Sequence, residues 1–549
     1  MGAPPEVSAK PAAPGGWRRW LRFLRPSHQH SAFTATLLLM SAIMASRVIG
    51  YVREAYIAWA FGAGPQTDAY VTAFTIPDWL NYILAGGAAS ITFITIFTRF
   101  LSRNQEDEAE ETYAVIITIM STVLIAGIVL LEIFTPELVR LVAPGFRDHP
   151  QQLQLCVYLT RVLLPAQLFF YVGGVMSAVL LSRKLFLVPA LAPLFYNAGI
   201  IAGGVILAHR LGIASLAYGA LAGAFAGPFL INAIGAHRTG IRYRLSFDIR
   251  NAAFREWMWL SIPLMLGVSL ATADDWILRF FASHGRGDIT RLNYAKALFK
   301  VPIAVLAQAT GQASLPFFAS LWGAGRKRDF AGTVNASVYR LMAASVLGSA
   351  WMMAVALPLV DLVYRRGHFH FTDSQETAAL FFWFAISLAL WSAQALYARA
   401  FYAAGDTLTP MLSATVVTLA SLPLYWMLFN TLNVVGLAIA SDTGIFINTL
   451  ALAMLLHWKG LVPVWGLNWK ELGKASATAL LAGATGVWAG RQIPLQGSRL
   501  SDLESFALGS VVWLAVTAAG LWLTRSSLPG DLRRRPAAAA AGLPTRAES

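Results

Sequence analysis

The chain has 549 residues, of which 57% are hydrophobic and 13% charged. Soluble globular proteins carry roughly 25% charged residues, so this composition excludes a soluble enzyme or binding domain and requires a polytopic membrane protein. The formal net charge of +14 points to membrane topology and anionic lipid headgroups rather than nucleic acid, because the basic residues cluster at the ends of apolar runs.

In chain order, residues 1–30 are Pro/Ala-rich and then basic and aromatic through Trp17, Arg18, Arg19, Trp20, Arg22, Phe23 and Arg25. That pattern predicts an unstructured tail ending in a short interfacial helix. The first apolar run is too long, and carries too many internal charges, to be a cleavable signal peptide. A spanning helix needs about 20 mostly apolar residues, and about fourteen such runs follow. They lie near 33–61, 67–101, 111–134, 154–182, 186–208, 213–235, 255–283, 291–322, 332–364, 375–403, 409–429, 434–456, 473–490 and 503–524, with breaks at Gly50 or at Gly86-Gly87 left open. Cys156 is the single cysteine, so no intrachain disulfide or cysteine metal cluster is available.

Placing both termini in the cytoplasm puts Arg183, Lys184, the Arg238 to Arg255 cluster and the Arg326-Lys327-Arg328 triplet on the inner face. The balance is then roughly 23 Lys/Arg inside against about 9 outside, as the positive-inside rule requires. The predicted fold class is all-α, with two pseudo-symmetric six-helix bundles and two C-terminal helices. The boundaries expected are a lobe over 31–236, a basic linker over 237–254, a second lobe over 255–458, two further helices over 473–524, and a disordered basic tail over 525–549.

The two lobes repeat at an offset of about 220 to 225 residues. Gly87-Ala88-Ala89-Ser90-Ile91-Thr92-Phe93 recurs as Gly311-Gln312-Ala313-Ser314-Leu315-Pro316-Phe317, preceded by Pro77 and Pro302 respectively. Pro189 matches Pro410, and Gly212-Ile213-Ala214 matches Gly436-Leu437-Ala438. Six helices return the chain to the same side, so the repeats are parallel. The same offset sets Arg53-Glu54 against Asp274-Asp275, as expected for two bundles rocking about a charged central cavity.

Charges inside apolar runs carry the functional signal, since one ionised group at mid-membrane costs roughly 2.5 kcal/mol or more. Arg47 and Glu54 share a helical stripe while Arg53 points about 100° away; they suit an anionic substrate in a water-filled cavity, or a salt bridge that locks helices. Lys296 and Lys300 are one turn apart and suit a pyrophosphate, or else snorkel to a headgroup. Asp274 and Asp275 diverge by about 100°, so one is expected to neutralise a lysine or arginine while the other meets a coupling cation. Asp442, with Thr443 and Asn448, is a second candidate for that cation. Asp68, after the turn at 61–64, reads as dipole compensation at its own helix start. Arg399 and Asp406 flank a short loop as a possible hinge lock. His368 and His370 have no metal-ligand spacing, and no catalytic triad, phosphate loop or zinc motif is present.

Residues 46–74, SRVIGYVREAYIAWAFGAGPQTDAYVTAF, resemble the N-terminal signature of the MurJ (MviN) lipid II flippases of the multidrug/oligosaccharidyl-lipid/polysaccharide exporter superfamily. ARAFYAAGDTLTPM at 398–411 is similar to a second motif of that family, and LVYRRGHF at 362–369 and NYAKALFKVP at 293–302 extend the similarity over most of 33–460. The resemblance implies fourteen helices, a cavity between helices 1, 2, 7 and 8, and a groove for the polyprenyl tail along helices 13 and 14. It also implies movement of a lipid-linked disaccharide-pentapeptide from the inner to the outer leaflet of the bacterial cytoplasmic membrane.

On that reading Arg47, Arg53, Lys296 and Lys300 hold the pyrophosphate; Glu54, Asp68, Asp274 and Asp275 balance the cavity charge; and Asp275, Asp442 and Asn448 are the candidates for cation coupling. No cofactor or metal is expected beyond the membrane potential or a monovalent cation. Partners would be lipid II or a related polyprenyl-linked glycan, membrane lipids and cell-wall synthesis proteins, with no nucleic acid. The chain departs from the family pattern at Asn81, Gly86 and Ala297, where family charges are missing, and at Lys296, where the family has an aspartate. Those departures leave open an exporter of another polyprenyl-linked oligosaccharide, or a non-transporting membrane scaffold.

Overall fold

A bilayer offers no water to the backbone, so each spanning segment must bond its own amides and carbonyls. Residues 32–85, 88–266, 270–495 and 497–533 are described in the computed structural model, and they meet this requirement with helices. The interfacial helix expected before residue 31, the Gly86-Gly87 break and the last part of the basic tail lie outside the described residues.

Helix α1 (Ala32–Phe61) runs unbroken through Gly50. The second apolar run divides into α2 (Pro65–Ala73), α3 (Thr75–Ala85) and α4 (Ala88–Ser102). Helix α5 (Glu106–Val142) starts with Glu106, Asp107 and Glu108, whose charge complements the positive end of the helix dipole. Then come α6 (Pro150–Leu163), α7 (Ala166–Ser182), α8 (Leu187–Leu211), and α9 (Ala214–Ala224), which passes through a π-helical turn at Phe225–Ile231 into α10 (Asn232–Arg238). Pro228 causes that widening by lacking an N–H, and the Asn232 amide donates to the Pro228 carbonyl at 2.8 Å.

The second half begins with α11 (Ala252–Leu266) and α12 (Leu270–Ala282), followed by α13 (Asp288–Pro302), a π-helical turn at Ile303–Gln308, and α14 (Ala309–Gly323). Helices α15 (Lys327–Ala354) and α16 (Ala356–Tyr364) form a pair bent by 64°, and α17 (Phe371–Ile386) and α18 (Leu388–Ala403) one bent by 41°. Helix α19 (Leu408–Trp458) holds two of the expected spans, joined at Asn433, whose φ of 51° turns the chain. The last elements are α20 (Trp469–Gly490), α21 (Arg499–Leu523) and the short α22 (Leu528–Arg533).

Within the described residues, the apolar runs expected from the sequence fall on helix apart from short turns. Among the described residues, however, six helical stretches are long and apolar enough to cross a membrane alone, or eight with the two bent pairs. Two of the expected runs merge in α19, and others are divided by the bends between α15 and α16 and between α17 and α18.

The apolar surface faces outward. Ile133 on α5, Leu419 and Trp426 on α19, Leu480 on α20 and Val511 on α21 are all exposed, while Thr, Ser and Asn side chains are buried between helices, the arrangement suited to lipid as solvent. The molecule has a terminal end, carrying the turns at 103–105, 239–251 and 459–468, and a distal end, carrying the turns at 62–64, 143–149, 283–287 and 365–370. Trp458, Trp465, Trp469 and Trp522 are exposed towards the terminal end, as interfacial anchors.

Helices α8 and α9 pack backbone against backbone. Gly199 and Gly203 face Gly219 and Gly223, and a Cβ on Gly203 would sit 2.5 Å from the Gly219 Cα. Small residues permit this backbone contact and the dispersion energy it brings. Gly203→Val is therefore expected to destabilise the protein by about 1–3 kcal/mol through overpacking, seen as a fall in the thermal midpoint of the purified protein; an unchanged midpoint would show that the helices can separate freely.

Candidate functional site

The charged segment of α1 lies against α13. The Tyr51 hydroxyl is 3.4 Å from the Ala297 carbonyl, and the Asn293 amide is 3.4 Å from the Glu54 carboxylate. Arg53 pairs with Glu54 at 2.5 Å and donates to Asn197 Oδ1 at 2.9 Å. Asn197 is itself oriented on α8 by its amide, which donates to the Pro193 carbonyl at 2.9 Å. Arg53 is thus held within the first half of the chain. Arg47, two turns earlier, is exposed.

On the facing side, Lys296 of α13 sits between both acids of α12. Its ammonium is 2.6 Å from Asp274 and also contacts Asp275. The sequence reading had these carboxylates diverging to separate tasks; the flexible four-carbon stem of Lys296 lets one cation reach both. Tyr425 of α19 donates its hydroxyl to Asp274. Lys300 lies 3.3 Å from Asp275 and remains 58% exposed against 14% for Lys296. Lys300 and Arg47 are therefore the accessible cations, while Lys296 and Arg53 are committed to acids.

Arg279 completes the seam and was missed by sequence reasoning. It donates to Thr75 Oγ1 at 3.0 Å and lies 3.8 Å from Asp78, joining α12 to α3 across the two halves. The spacing Asp275 to Arg279, one helical turn on the same face, was the available signal. Asp275, Arg279, Asn293, Lys296 and Lys300 surround a void of about 20 Å3. That is room for one water or ion, not for a pyrophosphate, so in this conformation the seam is closed by its own ion pairs.

Asp68 is placed differently from expectation. It is not in the cavity and does not cap its own helix, whose N-cap is Gly64. It is fully buried, at 0% exposure, and accepts hydrogen bonds from the Gly287 amide (2.6 Å), the Thr290 amide (2.9 Å) and the Thr290 hydroxyl (2.7 Å). Asp68 thus caps the N-terminus of α13 in the other half of the chain, where the helix dipole favours a carboxylate. Further distal contacts join the halves: the His368 amide donates to the Trp59 carbonyl at 3.0 Å, and the Gly145 amide donates to Ser283 Oγ at 3.0 Å. Gly145 packs so closely on the Ser283 backbone that no larger residue fits without movement. Nearer the terminal end, Arg99 and Glu256 form a two-bond pair at 2.8 and 2.5 Å between α4 and α11.

The candidates for cation coupling do not form one site. Asp275 bonds to the two lysines, Asn448 accepts from Ser413 at 3.0 Å, and Asp442 keeps one oxygen without a partner among the described residues. A separate void of about 10 Å3 adjoins Asp274, Ser421, Tyr425 and Ser441. No group of three or more acidic, histidine or cysteine side chains could hold a metal among the described residues. Arg399 and Asp406 do not pair as a hinge lock: Asp406 binds Lys459 at 2.6 Å and caps α19 through Thr409, while Arg399 lies over the Tyr402 ring. In that loop, burial alone would raise the Asp406 carboxyl, but the hydrogen bonds from Lys459 and Thr409 hold it down at about 2.

A family model described as lipid II flippase MurJ matches residues 57–500. The chain belongs to the MurJ family. It is 27% identical over 511 residues to a lipid II flippase MurJ of Burkholderia cenocepacia, covering 89% of this chain and 97% of that one. It is 26% identical over 488 residues to a probable lipid II flippase MurJ of Rhizobium tropici, covering 86% and 90% respectively. Among solved structures, an inward closed conformation of lipid II flippase MurJ superposes with a TM-score of 0.73 at 20% identity, covering 88% of this chain and 99% of that one. An inward-facing multidrug-resistance transporter of the MATE family gives a TM-score of 0.58 at 14% identity, covering 80% and 99%. The fold is that of these transporters, and the chain is a multi-pass membrane transporter rather than an enzyme.

Asp68→Asn keeps the shape of the cap and removes its charge. Hydrogen bonds to a charged group are worth about 1.5–3 kcal/mol, so amide hydrogen exchange over 287–290 is expected to speed up by about tenfold or more. Unchanged exchange would show that the carboxylate does not hold this junction.

Proposed function

We propose that the chain is a lipid II flippase, carrying the undecaprenyl-pyrophosphate-linked peptidoglycan precursor from the inner to the outer leaflet of the bacterial cytoplasmic membrane by alternating access. Both termini face the cytoplasm, so the distal end faces outward. The observation that carries this reading is the closed seam of four cations and four carboxylates between α1, α3, α12 and α13 in a chain of the MurJ family.

Mobile, partly hydrated cations at mid-membrane are held ready by carboxylates until an anion takes their place. Arg47 and Lys300 make the first contact with the pyrophosphate. Arg53 and Lys296 follow as the halves part on the terminal side and their acids become solvated. The substrate shifts the equilibrium by the difference in its affinity for the open and closed arrangements. The distal junction at Asp68 stays shut while the terminal side opens, and the alternation reverses both. Lys296 supplies a tethered positive charge between Asp274 and Asp275, so a coupling monovalent cation is assigned to the void beside Asp274, Ser421 and Ser441 rather than to Asp275, Asp442 and Asn448 together. The membrane potential acts on any net charge moved, at about 2.3 kcal/mol per elementary charge per 100 mV.

The second reading, export of another polyprenyl-linked oligosaccharide, draws on Asn81, Lys296 and Ala297, which depart from the family pattern on α3 and α13. Cell-wall synthesis proteins remain the proposed partners.

Complementation of a conditional strain lacking its lipid II flippase separates these readings. Growth is expected with the native chain and lost with Arg53→Ala, in which Glu54 is left half-buried and unpaired at a cost of about 3–5 kcal/mol. Lys300→Ala, being exposed, is expected to insert normally and to lower the flipping rate about tenfold, in line with the loss of one charge-assisted contact. Full flipping by the Arg53 variant would defeat the site assignment. Failure of the native chain at normal expression would favour the other glycan.

A further inference from the structure

The link between the two halves is itself two-faced. From α10 to α11 the chain runs through Ile241-Arg242-Tyr243-Arg244-Leu245-Ser246-Phe247-Asp248-Ile249-Arg250, polar at every even position and apolar at every odd one. An extended chain sends alternate side chains to opposite sides, so this is the pattern of a strand with one polar and one apolar face. It nevertheless lies in no sheet, and beyond Ile241 its side chains are exposed or, at Ser246, half-buried.

Its contacts fix where it lies. The Arg242 amide donates to Glu110 Oε1 at 3.1 Å, the Ser246 amide donates to Thr118 Oγ1 at 3.3 Å, and the Tyr243 hydroxyl is 3.0 Å from the same Thr118 oxygen, all on α5. From Glu110 to Thr118 is about 12 Å of helix, covered by four residues of the link, so the link descends α5 almost fully extended. Helix α5 carries no charged residue between Glu111 and Glu132, a stretch of about 30 Å that matches the hydrocarbon thickness of a bilayer. Thr118 is therefore about 10 Å inside the terminal edge of that stretch.

At that depth the link has needs that the protein does not meet. Away from water each amide requires an acceptor, and those of Tyr243, Arg244, Leu245 and Phe247 have none among the described residues. The guanidinium groups of Arg242, Arg244 and Arg250 are exposed and have no carboxylate partner among the described residues. Asp248 turns its carboxylate to the Arg250 amide at 3.0 Å. The acids at the start of α5, Glu106, Asp107, Glu108 and Glu111, are exposed on the water side of Thr118. Leu245, Phe247 and Ile249 are 72%, 57% and 66% exposed.

We propose that residues 241–250 form a strap that binds the headgroups of acidic phospholipids in the leaflet on the terminal side. The arginines and the free amides receive the phosphate, and Leu245, Phe247 and Ile249 lie among the first acyl carbons, at the ~5–10 Å depth usual for interfacial segments. A soluble anion or a protein loop would leave the apolar face uncovered; a phospholipid supplies phosphate and hydrocarbon together. Because the strap is the chain's link between the halves, a headgroup held on it favours the arrangement in which the strap lies along α5. The inference does not rest on the translocation reading.

Amide hydrogen exchange of the purified full-length protein tests this in nanodiscs of phosphatidylcholine alone or mixed with phosphatidylglycerol. Exchange over 243–247 is expected to slow about tenfold or more in the acidic bilayer, as befits three arginines near a negative surface. The triple variant Arg242→Gln, Arg244→Gln, Arg250→Gln, which changes only exposed side chains, is expected to lose that difference. Lys184→Gln, which removes a terminal-end cation outside the strap, is expected to keep it. Equal exchange in the two bilayers would overturn the proposal and leave the strap to a protein partner. Undiminished protection in the triple variant, or the same protection from glycerol phosphate added to phosphatidylcholine nanodiscs, would overturn it as well.

Discussion

Everything at the centre of this molecule depends on one constraint: a charge held in a low-dielectric interior must have a partner. Lys296 meets it by standing between Asp274 and Asp275, with Tyr425 completing Asp274. Because the partners lie on different helices, each ion pair is also a helix contact. Arg279 ties α12 to α3, and Asn293 ties α13 to Glu54 of α1. A seam built this way is stable when shut and costly when half open, which makes it two-state rather than continuously deformable.

The two ends of the molecule close by different chemistry. The distal end uses backbone: Asp68 bonds to main-chain amides, and glycines at 62, 145 and 367 allow turns to touch. The Arg99–Glu256 pair nearer the terminal end is between side chains that are 38% and 41% exposed. Solvent screening makes such a pair worth little. The distal junction is therefore the stronger of the two.

Much of this was legible in the sequence. The helices, the apolar exterior and the charges at 47, 53, 54, 274, 275, 296 and 300 follow from hydropathy and spacing, which are local properties. Asp68 was legible as dipole compensation at its own helix start but not as the cap of a helix 222 residues further along the chain. Asp406 was assigned the wrong cation because Lys459, 53 residues away, is nearer in space than Arg399, seven residues away. Arg279 was not singled out, because its partners Thr75 and Asp78 lie about 200 residues earlier in the chain.

By itself the sequence determined the class of protein, the order of its helices and the presence of more intramembrane charge than packing needs, because each of these depends on residues within a turn or a span. The tertiary structure alone decided which charge is free and which is spoken for. Arg53 finds Asn197 at a separation of 144 residues and Tyr425 finds Asp274 at 151. Those pairings depend on how each helix is rotated about its axis and how far a side chain reaches, and neither is written in any local pattern of residues.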